Sequence, residues 1–140
     1  MRIIADGVAL HGDLARPPEA AGIVLFAHGS GSSRHSSRNR LVARRLQDAG
    51  LATLLLDLLT PPEDAVDQRT RHLRFDIPLL SRRLEGAAQW AGRQQALREL
   101  PLGLFGASTG SAAALIAAAH LGTRVAAVVS RGGRPDLVSP

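Results

Sequence analysis

Gly106-Ala107-Ser108-Thr109-Gly110 stands between a short apolar run, Leu102-Gly103-Leu104-Phe105, and a long run of small residues, Ser111 to Ala119. The first run has the length of a buried strand and the second reads as a helix, so G-x-S-x-G falls at a strand-to-helix turn. Such a turn is so tight that a side chain two residues before or after the serine would strike backbone or a neighbouring side chain. Glycine at both flanks meets that demand. Ser108 is then expected to project Oγ above the sheet, at the start of a helix whose dipole favours developing negative charge. An incidental glycine-rich turn is the competing reading, and the strand-turn-helix context favours the nucleophile.

A second segment points to the same chemistry. Gly22-Ile23-Val24-Leu25-Phe26-Ala27-His28 is a continuous apolar run too short for a helix, followed by Gly29-Ser30-Gly31-Ser32-Ser33. It reads as a buried parallel strand opening into a flexible loop. Acyl transfer needs two backbone N–H groups aimed at the incipient oxyanion, one from the residue after the nucleophile and one from a neighbouring loop. Thr109 and Ser30 fit those positions. A phosphate-binding loop is the alternative, but the segment has neither a Walker lysine nor G-x-G-x-x-G spacing.

Strand and helix patterns alternate along the whole chain, the mark of an α/β fold with a mostly parallel sheet and flanking helices. Arg2 to Ala5 and Val8 to Leu14 form an edge hairpin around Asp6-Gly7, which Pro17-Pro18 ends. Ser36 or Ser37 caps a helix with Leu41, Val42, Leu46 and Ala49 on one face, and Gly50 stops it. Leu51 to Leu56 is a strand, and Thr60-Pro61-Pro62-Glu63 breaks the chain. Asp76 to Gln95 carries apolar residues at helical spacing and is expected to cover the sheet, with Trp90 in a packing role. Val125 to Val129 is the last strand. The 140 residues, 45% of them hydrophobic, form one domain with a real core, short for a complete doubly wound enzyme.

Three stretches, His28 to Asn39, Leu51 to Thr60 and Gly103 to Gly110, together resemble the dienelactone-hydrolase-like branch of the α/β-hydrolase superfamily. The resemblance runs over essentially the whole chain. It implies a truncated α/β-hydrolase fold of about six strands and a hydrolase of small carboxylic esters or lactones. In that reading Ser108 is the nucleophile, and Thr109 and the Ser30 region form the oxyanion hole. The dienelactone hydrolases proper carry cysteine as nucleophile; this chain contains none, so a serine esterase is the nearer expectation. The superfamily presents its triad in the order nucleophile, acid, histidine. After Ser108 only His120 and Asp136 follow, in the wrong order, with His120 a full helix length from the elbow. Two alternatives stand beside the esterase: a noncatalytic assembly or binding module derived from a hydrolase, and a promiscuous phosphoester or phosphotriester hydrolase.

The missing triad members leave the general base open. His28, His35 and His72 follow strands and so lie toward the carboxyl edge of the sheet, where ligands of α/β sheets bind. His35 and His72, the latter with Asp67 and Asp76 to orient it, are the candidate bases. His28 is a candidate substrate contact, as are Arg131 and Arg134, whose guanidinium groups suit a carboxylate or phosphate. No histidines stand at metal-ligand spacing, so no metal and no cofactor are expected. All 17 basic residues are arginine, giving a net charge of +5. Arg34, Arg38, Arg40, Arg44 and Arg45 crowd one segment, yet a single tryptophan, three phenylalanines and no tyrosine leave little to stack on bases. Nucleic acid is therefore not an expected partner. Met1 to Gly7 is no secretory signal and no apolar run reaches membrane-spanning length, so a cytoplasmic protein is expected. The strand order that the resemblance implies leaves the uncharged Val125 to Val129 at an open sheet edge, which suggests a homo-oligomer joined through that edge or the adjoining face.

Overall fold

The computed structural model describes residues 1–132. The chain begins with a hairpin of β1 (Arg2–Ala5) and β2 (Val8–Ala15). Asp6 and Gly7 join them with φ of +52° and +74°, the positive pair that a two-residue turn needs to match strand twist. There follow β3 (Ile23–Ala27), α1 (Ser37–Asp48), β4 (Ala52–Leu56), α2 (Pro61–Thr70), α3 (Ile77–Arg93), β5 (Leu102–Ala107), α4 (Thr109–Leu121) and β6 (Val125–Arg131), with short 3₁₀ turns before α3 and β6. The six strands form one sheet in the order β1-β2-β4-β3-β5-β6. β2 is antiparallel to both its neighbours, and β4, β3, β5 and β6 run parallel. The α/β fold expected from the alternation of patterns is the one observed.

Continuous apolar runs in β3 and β4 are explained by cover on both faces, since every residue of β4 is buried. On one face Leu25, Leu54, Leu56 and Leu104 pack with Leu80, Leu84 and Ala87 of α3 and with Ala113 and Ala117 of α4. The small side chains of α4 let its backbone lie close to both α3 and the sheet. On the other face Phe26, Leu55 and Phe105 meet Ala43 of α1, the two rings 4.9 Å apart and tilted. Trp90 packs at the margin of the larger cluster, in the role expected of it.

Two local expectations need correction. The buried stripe of α1 runs through Asn39, Val42, Ala43 and Leu46, whereas Leu41 and Ala49 face solvent. Thr60-Pro61-Pro62-Glu63 does not end structure; it starts α2. Proline is well suited to a first helical turn, where its missing N–H costs nothing. Thr60 and Glu63 form a reciprocal capping box. The arginine-rich segment divides between ion pairs and solvent. Arg34 and Arg40 turn to Asp13, and Arg34 also grips Asp57, while Arg38, Arg44 and Arg45 stay in solvent. β6 lies at the edge of the sheet with Val129 half exposed. No helix among the described residues is long and apolar enough to cross a membrane.

Arg83 ties three elements to α3. Its guanidinium holds both Glu63 oxygens, at 2.7 and 2.8 Å, and reaches Asp6 at 3.2 Å and the Leu58 carbonyl at 3.3 Å. The Arg83 pairing holds the Glu63 carboxyl down at about 2. A carboxyl depressed in the fold stabilises it above the unfolded value, and that contribution is lost as pH falls through the folded value. Glu63→Gln is expected to cost about 2 kcal/mol at neutral pH, because Arg83 is left under-paired in a buried position. In urea melts, the gap between variant and parent should close progressively as pH falls from the ordinary carboxylate range of 4.5 toward 2. A gap independent of pH would show that the ion pair is not its source.

Candidate active site

The elbow is built by two close approaches of backbone. A Cβ at Gly106 would stand 2.5 Å from the Gly110 carbonyl oxygen, and one at Gly110 only 2.3 Å from the Ala27 oxygen and 2.6 Å from that of His28. Neither position admits any side chain, since backbone cannot move aside as a flexible side chain would. Gly110 therefore lets α4 dock against the end of β3. The squeeze leaves Ser108 with φ +56° and ψ −122°, a region that costs a non-glycine residue roughly 1–3 kcal/mol. Neighbouring bonds hold it there. Ser108 N–H donates to the Arg131 carbonyl at 2.9 Å, Ser111 N–H to the Ser108 carbonyl at 3.0 Å, and the buried Ser111 hydroxyl to the Gly106 carbonyl at 2.9 Å. Ser108 itself is exposed between buried neighbours, the placement expected of a nucleophile.

Beside it lies the loop after β3. A Cβ on Gly29 would stand 3.2 Å from Ser108 Cβ and 3.9 Å from Ser108 Oγ, so this loop flanks Ser108 directly. Thr109 is the first residue of α4, and its N–H is one of those a helix leaves without an internal acceptor. The hydroxyls of Ser30 and Thr109 are hydrogen-bonded at 2.7 Å, which joins the two expected oxyanion residues. Next to the loop a cleft of about 450 Å³ opens toward β4 and α2, lined among others by Gly31, Ser33, His35, Asp57, Leu59 and Asp64. A smaller hollow lined by Ser30, Thr109 and Asp64 adjoins it.

The histidines take separate places. His28 is buried, its Nδ1–H donating to the Gly29 carbonyl at 2.9 Å and its Nε2 accepting Leu58 N–H at 3.1 Å. Burial pushes its pKa below the ordinary value, so the ring is neutral and both nitrogens are engaged in binding the β3 and β4 loops together. It lines the cleft without a free polar atom to offer. His35 is exposed and its Nδ1 meets Arg40 at 2.6 Å. His72 is exposed, and Asp67 and Asp76 do not orient it: Asp67 is bonded to Arg74 and Asp76 caps α3. His120 pairs with Glu85 at 2.9 Å, at the far end of α4 from the elbow. Among the described residues no histidine is hydrogen-bonded to Ser108.

Arg131 serves the elbow differently from the expected substrate contact. Its carbonyl holds the Ser108 amide, and its guanidinium engages the buried Asn39 at 3.1 Å. Neither role has a signature in sequence, because a backbone carbonyl is common to every residue type. Arg134 and Asp136 lie outside the described residues. No cluster of groups suited to a metal ion occurs among the described residues.

No protein-family model matches the chain. A dienelactone hydrolase of known structure from Anabaena variabilis is 59% identical, superposes with a TM-score of 0.96, and is matched over 99% of this chain and 64% of its own. An esterase from Pyrococcus furiosus superposes with a TM-score of 0.76 at 18% identity, over 95% of this chain and 49% of its own. Two curated proteins of Mycobacterium tuberculosis, both described as "putative phosphoribosyl transferase", are 55% identical over 137 residues. The chain spans less than two thirds of the Anabaena protein and 30% of the mycobacterial ones.

Two measurements probe this geometry. Ser108→Gly is expected to stabilise the fold by about 1 kcal/mol, since glycine accepts the strained dihedrals and repays part of the gain in unfolded-state entropy. Gly110→Ala should fail to give a folded chain. A thermal midpoint lowered in Ser108→Gly would show that the serine is not strained. For His28, a pKa depressed in the fold means that the unfolded chain takes the proton first. Stability is then complete above the ordinary histidine range of about 6.5 and declines as pH falls through it. Urea titrations of the parent should show that decline, and those of His28→Gln should lack it.

Proposed function

Because the chain belongs to the α/β-hydrolase superfamily, in its dienelactone-hydrolase-like branch, we propose that it is a serine hydrolase acting on small carboxylic esters or lactones. The observation that carries the reading is the exposed, strained Ser108 at the head of α4, flanked within contact distance by the Gly29 loop. In the proposed reaction Ser108 Oγ attacks the acyl carbon and the carbonyl oxygen becomes an oxyanion. Thr109 N–H and the N–H of the Ser30 loop receive that charge, aided by the dipole of α4. Collapse of the tetrahedral species expels the alkoxide and leaves an acyl-Ser108 ester. Water then adds to the acyl carbon, and Ser108 leaves with a proton as the carboxylic acid forms.

The serine proton passes to solvent water in this scheme, since the ring of His28 is fully engaged and those of His35 and His72 lie in solvent. An oxyanion hole and substrate binding alone retain roughly 10³ to 10⁴ of acceleration over water in well-studied hydrolases. Activated esters, whose leaving groups need no protonation, are the substrates best matched to such a site. The 59% identity to a protein described as a dienelactone hydrolase supports the ester or lactone class. The phosphoribosyl-transferase description belongs to proteins of which this chain spans 30%.

Exposure to a fluorophosphonate followed by mass spectrometry tests the reading. One adduct per chain, mapped to Ser108 and absent from Ser108→Ala, is the expected result. Ser108→Ala should also lose most hydrolysis of nitrophenyl esters while keeping the fold. Wild-type turnover in that variant would reject the serine mechanism, and an unlabelled parent would favour a binding module instead.

A further inference from the structure

A buried carboxylate that the reaction above does not use lies behind the oxyanion loop. Asp67, on α2, is 1% exposed. A carboxylate removed from water holds its charge only if its oxygens are paired. Among the described residues, both carboxylate oxygens are paired by one residue. Oδ1 accepts the backbone N–H of Arg74 and Oδ2 its Nε–H, both at 3.0 Å, and Nη2–H reaches the Asp67 carbonyl at 3.4 Å. Main chain and side chain of Arg74 are thus clamped together, and with them the turn Leu73–Phe75.

The clamp presents the Arg74 carbonyl to Ser30, whose Oγ–H donates to it at 3.2 Å. That commits the one proton of the Ser30 hydroxyl, so in the 2.7 Å contact with Thr109 it is Thr109 Oγ1–H that donates. Arg74 also backs the loop sterically: a Cβ on Gly31 would stand 2.8 Å from its Nη1. One directed chain therefore runs from Asp67 through Arg74 and Ser30 to Thr109. It ends on the two residues proposed above to supply the oxyanion amides.

We propose that Asp67 and Arg74 are positioning residues of the oxyanion hole, acting through the Ser30 hydroxyl; the inference rests on the serine-hydrolase reading. A loop written Gly29-Ser30-Gly31-Ser32-Ser33 has little stiffness of its own. Donors stabilise an oxyanion only when held at its position before the charge forms. The buried ion pair supplies that rigidity from outside the loop.

The test is a double-mutant cycle on the full chain with 4-nitrophenyl acetate as substrate: parent, Asp67→Asn, Ser30→Ala and the double variant. Because the oxyanion exists only beyond the ground state, each single change should lower kcat about tenfold and leave KM within about twofold. The double variant should be no slower than the worse single one, because both changes cut the same chain. If Asp67→Asn does not fold, as judged by circular dichroism, Arg74→Lys replaces it in the same cycle. Additive losses, or changes confined to KM, overturn the proposal. A parent that labels at Ser108 but gives additive variants removes this inference alone. A parent inert to both ester and fluorophosphonate removes the serine-hydrolase reading, and this inference with it.

Discussion

The close approach of α4 to the end of β3 is the constraint on which the site depends. Gly110 brings the helix backbone so near the Ala27 and His28 carbonyls that no other residue fits, and three features follow from that contact. The turn before the helix closes too sharply for ordinary dihedrals, so Ser108 is strained and raised into solvent. Its neighbour Thr109 arrives with an amide that the helix leaves without an internal acceptor. The loop after β3, continuing from the carbonyls that Gly110 touches, is carried to within contact of Ser108. Serine and loop are therefore aligned by one packing event rather than by separate adjustments.

Arginine supplies much of the remaining order. With no lysine in the chain, every basic side chain other than histidine is a planar fork, and among the described residues five of these forks close on carboxylates. Arg83 joins α3 to the start of α2 and to the first hairpin, Arg34 joins the β3 loop to Asp57 after β4, and Arg74 joins the turn before α3 to α2. A guanidinium holds two oxygens in fixed geometry where an ammonium would act as a point charge. Loops at the carboxyl edge of the sheet are thereby held without disulfides, which a chain lacking cysteine cannot form.

The parts that could be read from sequence were those that local physics writes into composition. Continuous apolar runs identified β3, β4 and β5, and Asp6-Gly7 identified the first turn. Gly106 and Gly110 marked the elbow because steric exclusion leaves only one residue type possible. The start of α2 is present in sequence, since Thr60 and Glu63 stand at capping-box spacing, yet the two prolines between them resemble a stop as much as a first turn. The inward face of α1 is hidden because Asn39, a polar residue, occupies a buried place. Partnerships between distant residues leave no trace in the sequence: His28 bonds Leu58 N–H, a pairing that depends on which loops the sheet order brings together, and no spacing along the chain encodes that order. Asp67 bonds Arg74 rather than His72 because the turn after α2 folds back on the helix, a local geometry that residue types alone do not specify.

Ser108 is also fastened from the side. Its amide is tied to the carbonyl of Arg131, the last residue of an edge strand, and the side chain of that same residue is anchored to Asn39 on α1. One residue of β6 thus couples the turn at Ser108 to α1, so the strand end, the helix and the turn share a single point of attachment.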